Sequence, residues 1–117
     1  MMAHADVFTT VYSTMVVEAC AHDRPVVSVC IDSKQGWPGK FTLPLSQIGG
    51  WPTHSRFREA GAGRVALDEG QLRTALNVYL CDPDADLAAR QAFLKRECTY
   101  VDGTAGKRTG EFFVSLI

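Results

Sequence analysis

Ser13, Thr14 and Glu18 are the residues whose types and spacing best suit binding chemistry. The hydroxyls at 13 and 14 can donate to phosphate oxygens, and the carboxylate at 18 can accept two hydrogen bonds, as many as a ribose diol offers. Glu18 follows Thr14 by one helical turn. A helix starting here would add unpaired N–H groups and a positive dipole end, both favouring an anion. Phosphate at the helix start and ribose on the acid would make a nucleotide-diphosphate site. The same residues have a plainer reading. A Ser or Thr before a helix caps it, and a lone Glu on a helix is solvated. Both readings stand on spacing alone.

Other side chains with chemical capacity lie in the stretch Trp51-Pro52-Thr53-His54-Ser55-Arg56. His54 is a weak candidate for catalysis because an imidazole suits proton transfer near neutral pH; the bland alternative is a surface histidine without a role. Trp37 and Trp51 can stack on a base or sugar, or anchor their segment to the core. Arg56, Arg58 and Arg64 form a loose basic cluster, read as a solvated face. His4, His22 and His54 lack metal-ligand spacing with one another or with Cys20, Cys30, Cys81 and Cys98, so neither a metal nor a cofactor is expected.

The elements that must position these residues follow from periodicity. Asp6–Val11, rich in β-branched and aromatic residues, reads as a strand. Ser13 or Thr14 then caps a helix over Met15–Ala21, apolar except for Thr14, Glu18 and His22, which share one face. Pro25–Ile31 is a near-continuous apolar run, as expected of a strand buried on both faces of a parallel sheet. Strand, helix, strand makes a βαβ unit. Residues 33–63 read as a long irregular loop, functional or mobile. Val65–Leu67 reads as a third short strand, and Asp68 with Gln71 as a capping box. The stripe Leu72, Ala75, Leu76, Tyr79 and Leu80 predicts a helix ending at Asp82-Pro83. A further helix is predicted over Asp84–Glu97, packed through Leu87, Phe93 and Leu94. Asp102-Gly103 marks a turn, and Thr104 caps a last helix with Ala105, Phe112, Phe113 and Leu116 as its apolar positions.

Composition bounds the rest. The 117 residues suffice for one domain, and 46% hydrophobic content suits a folded core. A formal net charge of -1 argues against a nucleic-acid partner. No apolar run reaches the ~20 residues of a membrane span, and the N-terminus lacks a signal-peptide pattern. The cysteines contain no Cys-x-x-Cys pair and two lie in apolar runs, which predicts buried thiols in a reducing cytoplasm.

The stretch from Asp6 to Cys20, with Arg24-Pro25-Val26-Val27 after it, resembles the donor-site segment of GT-B transferases. There a strand leads to a Ser-bearing turn, a helix with Glu-Ala and a Lys/Arg-Pro-Val strand. The likeness is nearest to CDP-glycerol glycerophosphotransferases and capsule or surface-polysaccharide transferases; UDP-N-acetylglucosamine 2-epimerases share the segment. Asp102-Gly103-Thr104-Ala105-Gly106-Lys107-Arg108 resembles the Asp-Gly-x-Ala-x-x-Arg ending of the same group. Val11 departs from it, standing where many of these proteins have Asp. The resemblance implies that Ser13 and Thr14 contact the donor diphosphate and that Glu18 holds the ribose.

The expected fold is α/β: a small three-layer Rossmann-like unit with a short parallel sheet, part of a GT-B C-terminal domain. The expected function is the donor-nucleotide-binding part of a glycosyl- or polyol-phosphate transferase for cell-surface polymers, inactive alone. The alternatives are a stand-alone nucleotide- or phosphate-binding module, or a structural remnant without catalysis. A CDP- or UDP-linked donor is the implied partner. The chain is expected to be a fragment, or to act with a second domain or in a homo-oligomer, because so small a parallel sheet leaves edges and faces to cover. The implied location is the cytoplasm, with the inner membrane surface as a peripheral site.

Overall fold

The computed structural model describes residues 2–33 and 43–117. Three short strands form one sheet: β1 (Phe8–Thr10), β2 (Val26–Val29) and β3 (Arg64–Ala66), in the order β1-β2-β3. Both pairings are parallel, with Thr9 opposite Val27 and Ser28 opposite Val65. Six α-helices and a short 3-10 turn at Met2–His4 accompany them among the described residues: α1 (Met15–Ala21), α2 (Leu45–Ile48), α3 (Pro52–Glu59), α4 (Glu69–Cys81), α5 (Leu87–Glu97) and α6 (Ala105–Val114).

β2 is central, which is why Val26, Val27 and Ser28 are all buried, with Ser28 the one polar residue among them. Val26 packs into one layer with Val16, Ala19 and Cys20 of α1, Phe57 of α3, and Phe93 and Leu94 of α5. Val27 faces the opposite layer, with Ala66, and with Ala75 and Tyr79 of α4. Alternation along the strand therefore feeds two cores. The Phe57 and Phe93 rings meet edge to face, with centroids 5.4 Å apart, and burial of each contributes about 1.5–3 kcal/mol. The result is an α/β three-layer unit of Rossmann-like kind.

Covering of both faces removes one reason to expect self-association. The helices of the chain do this themselves, and only the outer edges of β1 and β3 lack a neighbouring strand among the described residues.

Asp68 caps α4 as its sequence signature predicts. Its Oδ1 accepts the Gln71 N–H at 2.7 Å, and Gln71 Oε1 in return accepts the Leu67 N–H at 3.0 Å. The turn into α5 is organised by Arg90, which is fully buried. Its guanidinium donates to the carbonyls of Ala85 (2.5 Å) and Pro83 (2.9 Å) and lies over the Tyr79 ring. These bonds satisfy carbonyls of the connection between α4 and α5.

Several sequence expectations are corrected. The long loop at 33–63 contains two helices, α2 and α3, among its described residues; Trp37 lies outside the described residues. Pro52 at the first position of α3 starts a helix rather than breaking one. Thr14 holds the cap position of α1 without a side-chain capping bond, and the Met15 N–H goes to Ser13 Oγ at 3.2 Å. Thr104 likewise makes no side-chain cap, because its hydroxyl donates to Asp102 at 2.8 Å. The helix expected from Asp84 starts at Leu87, since Asp86 adopts a left-handed conformation. Leu80 faces solvent instead of the core. The arginine cluster is not simply solvated: Arg56 pairs with Glu97 and Arg64 with Asp86. No residue of α6 is buried.

Candidate functional site at the carboxyl end of the sheet

In an open parallel sheet, ligands bind beyond the carboxyl ends of the strands, where helices begin. Three segments meet that description here: Val11–Thr14 after β1, Cys30–Ser33 after β2 and Leu67–Asp68 after β3.

The first segment carries the residues singled out from sequence. Thr14 and Glu18 are exposed and stand one turn apart on α1. Neither side chain has a hydrogen-bond or ion-pair partner among the described residues. Ser13 is half-buried; its Oγ accepts the Met15 N–H and its carbonyl accepts the Val16 N–H at 3.2 Å. The Val17 N–H goes to the Thr14 carbonyl at 3.0 Å, so three early amides of α1 are already satisfied and the donors left to an anion are chiefly hydroxyls. Ser13 and Thr14 follow the carboxyl end of β1, and Glu18 stands one turn along α1.

His54 does not stand at the surface. It is only 8% exposed, and its ring lies against that of Tyr12, centroids 4.8 Å apart and planes tilted by 54°. Burial lowers its pKa below the usual histidine value. Tyr12 has φ 34°, a left-handed conformation unusual for a tyrosine. Its hydroxyl meets the Cys30 thiol, and burial followed by that hydrogen bond pushes its pKa up to about 12. Gly49 presses against the same hydroxyl, and a Cβ there would collide with it.

Sequence reasoning missed this grouping of Tyr12, Cys30 and His54, along with Arg58. The charge of Arg58 reaches the site, pulling the Tyr12 and Cys30 pKa values down against burial. A signal was present: His54 and Arg58 stand four residues apart, which puts them on one face once α3 is recognised as a helix.

The segment after β2 holds Asp32, whose Oδ1 accepts the Leu45 N–H at 2.8 Å. Between the ends of β2 and β3 lies a cavity of about 390 Å³ lined by Ile31, Asp32, Leu67, Asp68, Glu69 and Gly70. Its acidic rim disfavours a diphosphate. A groove of about 580 Å³ runs beside β3 and α4. Ser13, Thr14 and Glu18 line neither of these two spaces. No group of three or more His, Cys, Asp or Glu residues among the described residues could hold a metal ion. No described helix is long and apolar enough to cross a membrane.

Near the C-terminus, Asp102 accepts from the Thr104 N–H (3.0 Å) and from Arg108 Nη1 (3.0 Å), and Arg108 lies 4.0 Å from the Tyr100 ring centre. The Asp-Gly-x-Ala-x-x-Arg pattern thus closes on itself as a turn locked by an ion pair, rather than reaching the sheet end.

No protein-family model, no curated protein and no solved structure matches this chain.

Proposed function

We propose that this chain is the donor-nucleotide-binding part of a GT-B-like glycosyl- or polyol-phosphate transferase for cell-surface polymer assembly. One observation carries the reading. Ser13, Thr14 and Glu18, in the motif that resembles the donor-site segment, are presented together at the carboxyl end of β1, and the Thr14 and Glu18 side chains have no partner among the described residues. In this reading the hydroxyls of Ser13 and Thr14 take the diphosphate and Glu18 takes the ribose diol. Arg58 supplies positive charge on the adjoining helix. Stabilisation of the leaving diphosphate would then be electrostatic. His54 is assigned no proton transfer in this reading; it is buried and its ring lies against Tyr12.

The same reading calls for a second domain, or a second copy of the chain, to complete a cleft. The open edges of β1 and β3 leave room for further strands. It also implies a cytoplasmic location, with the inner membrane surface as a peripheral site.

A second reading is a stand-alone nucleotide- or phosphate-binding module. Its support is that the chain covers both faces of its sheet with its own helices. UDP binding by the chain alone, without turnover of any nucleotide-linked donor supplied with a completing domain, would distinguish it from the first.

The test is amide chemical-shift mapping with UDP and CDP. The expected result is a set of saturable shifts centred on Ser13, Thr14 and Glu18. Shifts confined to the acidic cavity at Asp32, Asp68 and Glu69, or none at all, would overturn the placement.

A further inference from the structure

A tyrosine at φ 34° persists only when its surroundings dictate it. Three contacts do so at Tyr12. The His54 ring packs against one side, Gly49 allows the hydroxyl an approach that no other residue would permit, and the Cys30 thiol meets the same hydroxyl. Tyr12 is bonded directly to Ser13, so the rotation of this one residue sets where the following hydroxyls stand.

Of the three contacts, His54 is held by a helix fixed at several points. It sits on α3, whose Phe57 is in the core and whose Arg56 makes two hydrogen bonds of 2.9 Å to Glu97 of α5. The backbone N–H of His54 is tied to the Trp51 carbonyl at 3.0 Å. α3 therefore presents the imidazole as a fixed wall, and Tyr12 leans on it.

We propose that His54 is a positioning residue, holding the turn that carries Ser13 and Thr14 through its contact with Tyr12. Its binding consequence rests on the nucleotide reading above; its structural consequence does not. The imidazole is buried, so it is neutral when the contact is made. Charging it brings a demand for hydration that this position cannot meet without moving. The ionisable groups facing the contact are Tyr12 itself, Cys30 and Asp32 from the β2 end, and Arg58 from α3. The turn is thus pH-sensitive, ordered when His54 is neutral and released when it is protonated.

The experiment follows the amide resonances of Ser13, Thr14 and Met15 from about pH 8 to about pH 5 in wild type, His54→Phe and His54→Ala. In wild type they are expected to shift with the same midpoint as the His54 ring. In His54→Phe, which keeps an aromatic wall, they should hold their high-pH positions and not titrate. In His54→Ala they should be displaced at every pH. Titration that persists in His54→Phe, or undisplaced resonances in a folded His54→Ala, overturns the proposal. Should His54→Ala fail to fold, the His54→Phe profile decides alone. UDP affinity supplies the second arm: about a tenfold loss in His54→Ala and recovery in His54→Phe. If wild type binds no UDP while the resonances behave as expected, the nucleotide reading fails and the positioning role stands.

Discussion

The hydroxyl of Tyr79 donates to Oδ2 of Asp86 at 2.8 Å, joining the buried face of α4 to the left-handed residue that precedes α5. Arg64 Nε donates to the same oxygen at 3.1 Å, so the turn is also tied to the first residue of β3. Burial, and then the Asp86 carboxylate, push the Tyr79 pKa far above its ordinary value, which keeps the hydroxyl a donor. Tyr79→Phe removes only this donor. It is expected to lower unfolding stability by about 1–2 kcal/mol, read as a drop in the urea midpoint with an unchanged slope. An unchanged midpoint would show that the bond contributes nothing net.

Gly63 stands where Phe57 and the Val26 carbonyl converge just before β3, and a Cβ would strike both. The carbonyl belongs to the central strand and cannot step aside without disturbing the β1–β2–β3 register. Gly63→Ala is expected to destabilise the chain by about 1–3 kcal/mol. Gly61→Ala is the comparison: its space is open, but its φ is +64°, so its cost is backbone strain alone. Thermal melting of the two variants should rank Gly63→Ala below Gly61→Ala, and the reverse order would contradict the packing argument.

Much of this framework is legible in the residues, and the reasons differ by element. Val26 and Val27 report a strand buried on both sides because the run 25–31 is apolar but for Ser28, and Asp68 with Gln71 three residues on announces the start of α4, where the two exchange capping bonds. The helices at 45–48 and 52–59 are less legible. Pro44, Gly49 and Gly50 around them, and Pro52 at the start of α3, resemble the residues of a loop, and α3 is polar apart from Pro52 and Phe57. Tertiary contacts at His54 and Phe57 hold α3 in place, a force that local propensity does not carry. The placement of Ser13, Thr14 and Glu18 follows from helical spacing. The Tyr12–His54 contact joins residues forty-two apart in number, and no local pattern encodes it.

Acid should weaken the fold in a stated order. Burial lowers the His54 pKa, so the unfolded chain binds its proton more readily than the folded one. Stability from this group is therefore full above the ordinary histidine pKa and is lost as pH falls through the folded value. Asp102 acts further down. The Thr104 N–H, then the Thr104 hydroxyl and Arg108, bring its pKa to about 2, so the turn before α6 holds above the ordinary carboxylate range and loosens as pH falls toward that value. Melting temperature against pH should fall first near His54's titration, and His54→Phe should remove that first decline. A decline that survives in His54→Phe would assign it elsewhere.

The four thiols should react in an order set by exposure. Cys81 is exposed and Cys98 intermediate, whereas Cys20 and Cys30 are buried. Burial pushes Cys20 up to about 11 and raises Cys30 as well, which starves both of thiolate. A thiol-labelling time course read by peptide mass should modify Cys81 first and reach Cys20 and Cys30 only on unfolding. Early labelling of Cys30 in the native protein would mean that the Tyr12 grouping opens readily.

The nucleotide site is tested most directly by calorimetric titration of the chain with CDP, UDP and CDP-glycerol, with Glu18→Ala alongside. Glu18 is exposed, so its removal should leave the melting temperature unchanged. The expected result is binding of at least one ligand, weakened about tenfold in Glu18→Ala, the scale of one lost charge-assisted contact to a ribose. Equal affinity in the variant, or no binding of any of the three, would contradict a donor site at Ser13, Thr14 and Glu18.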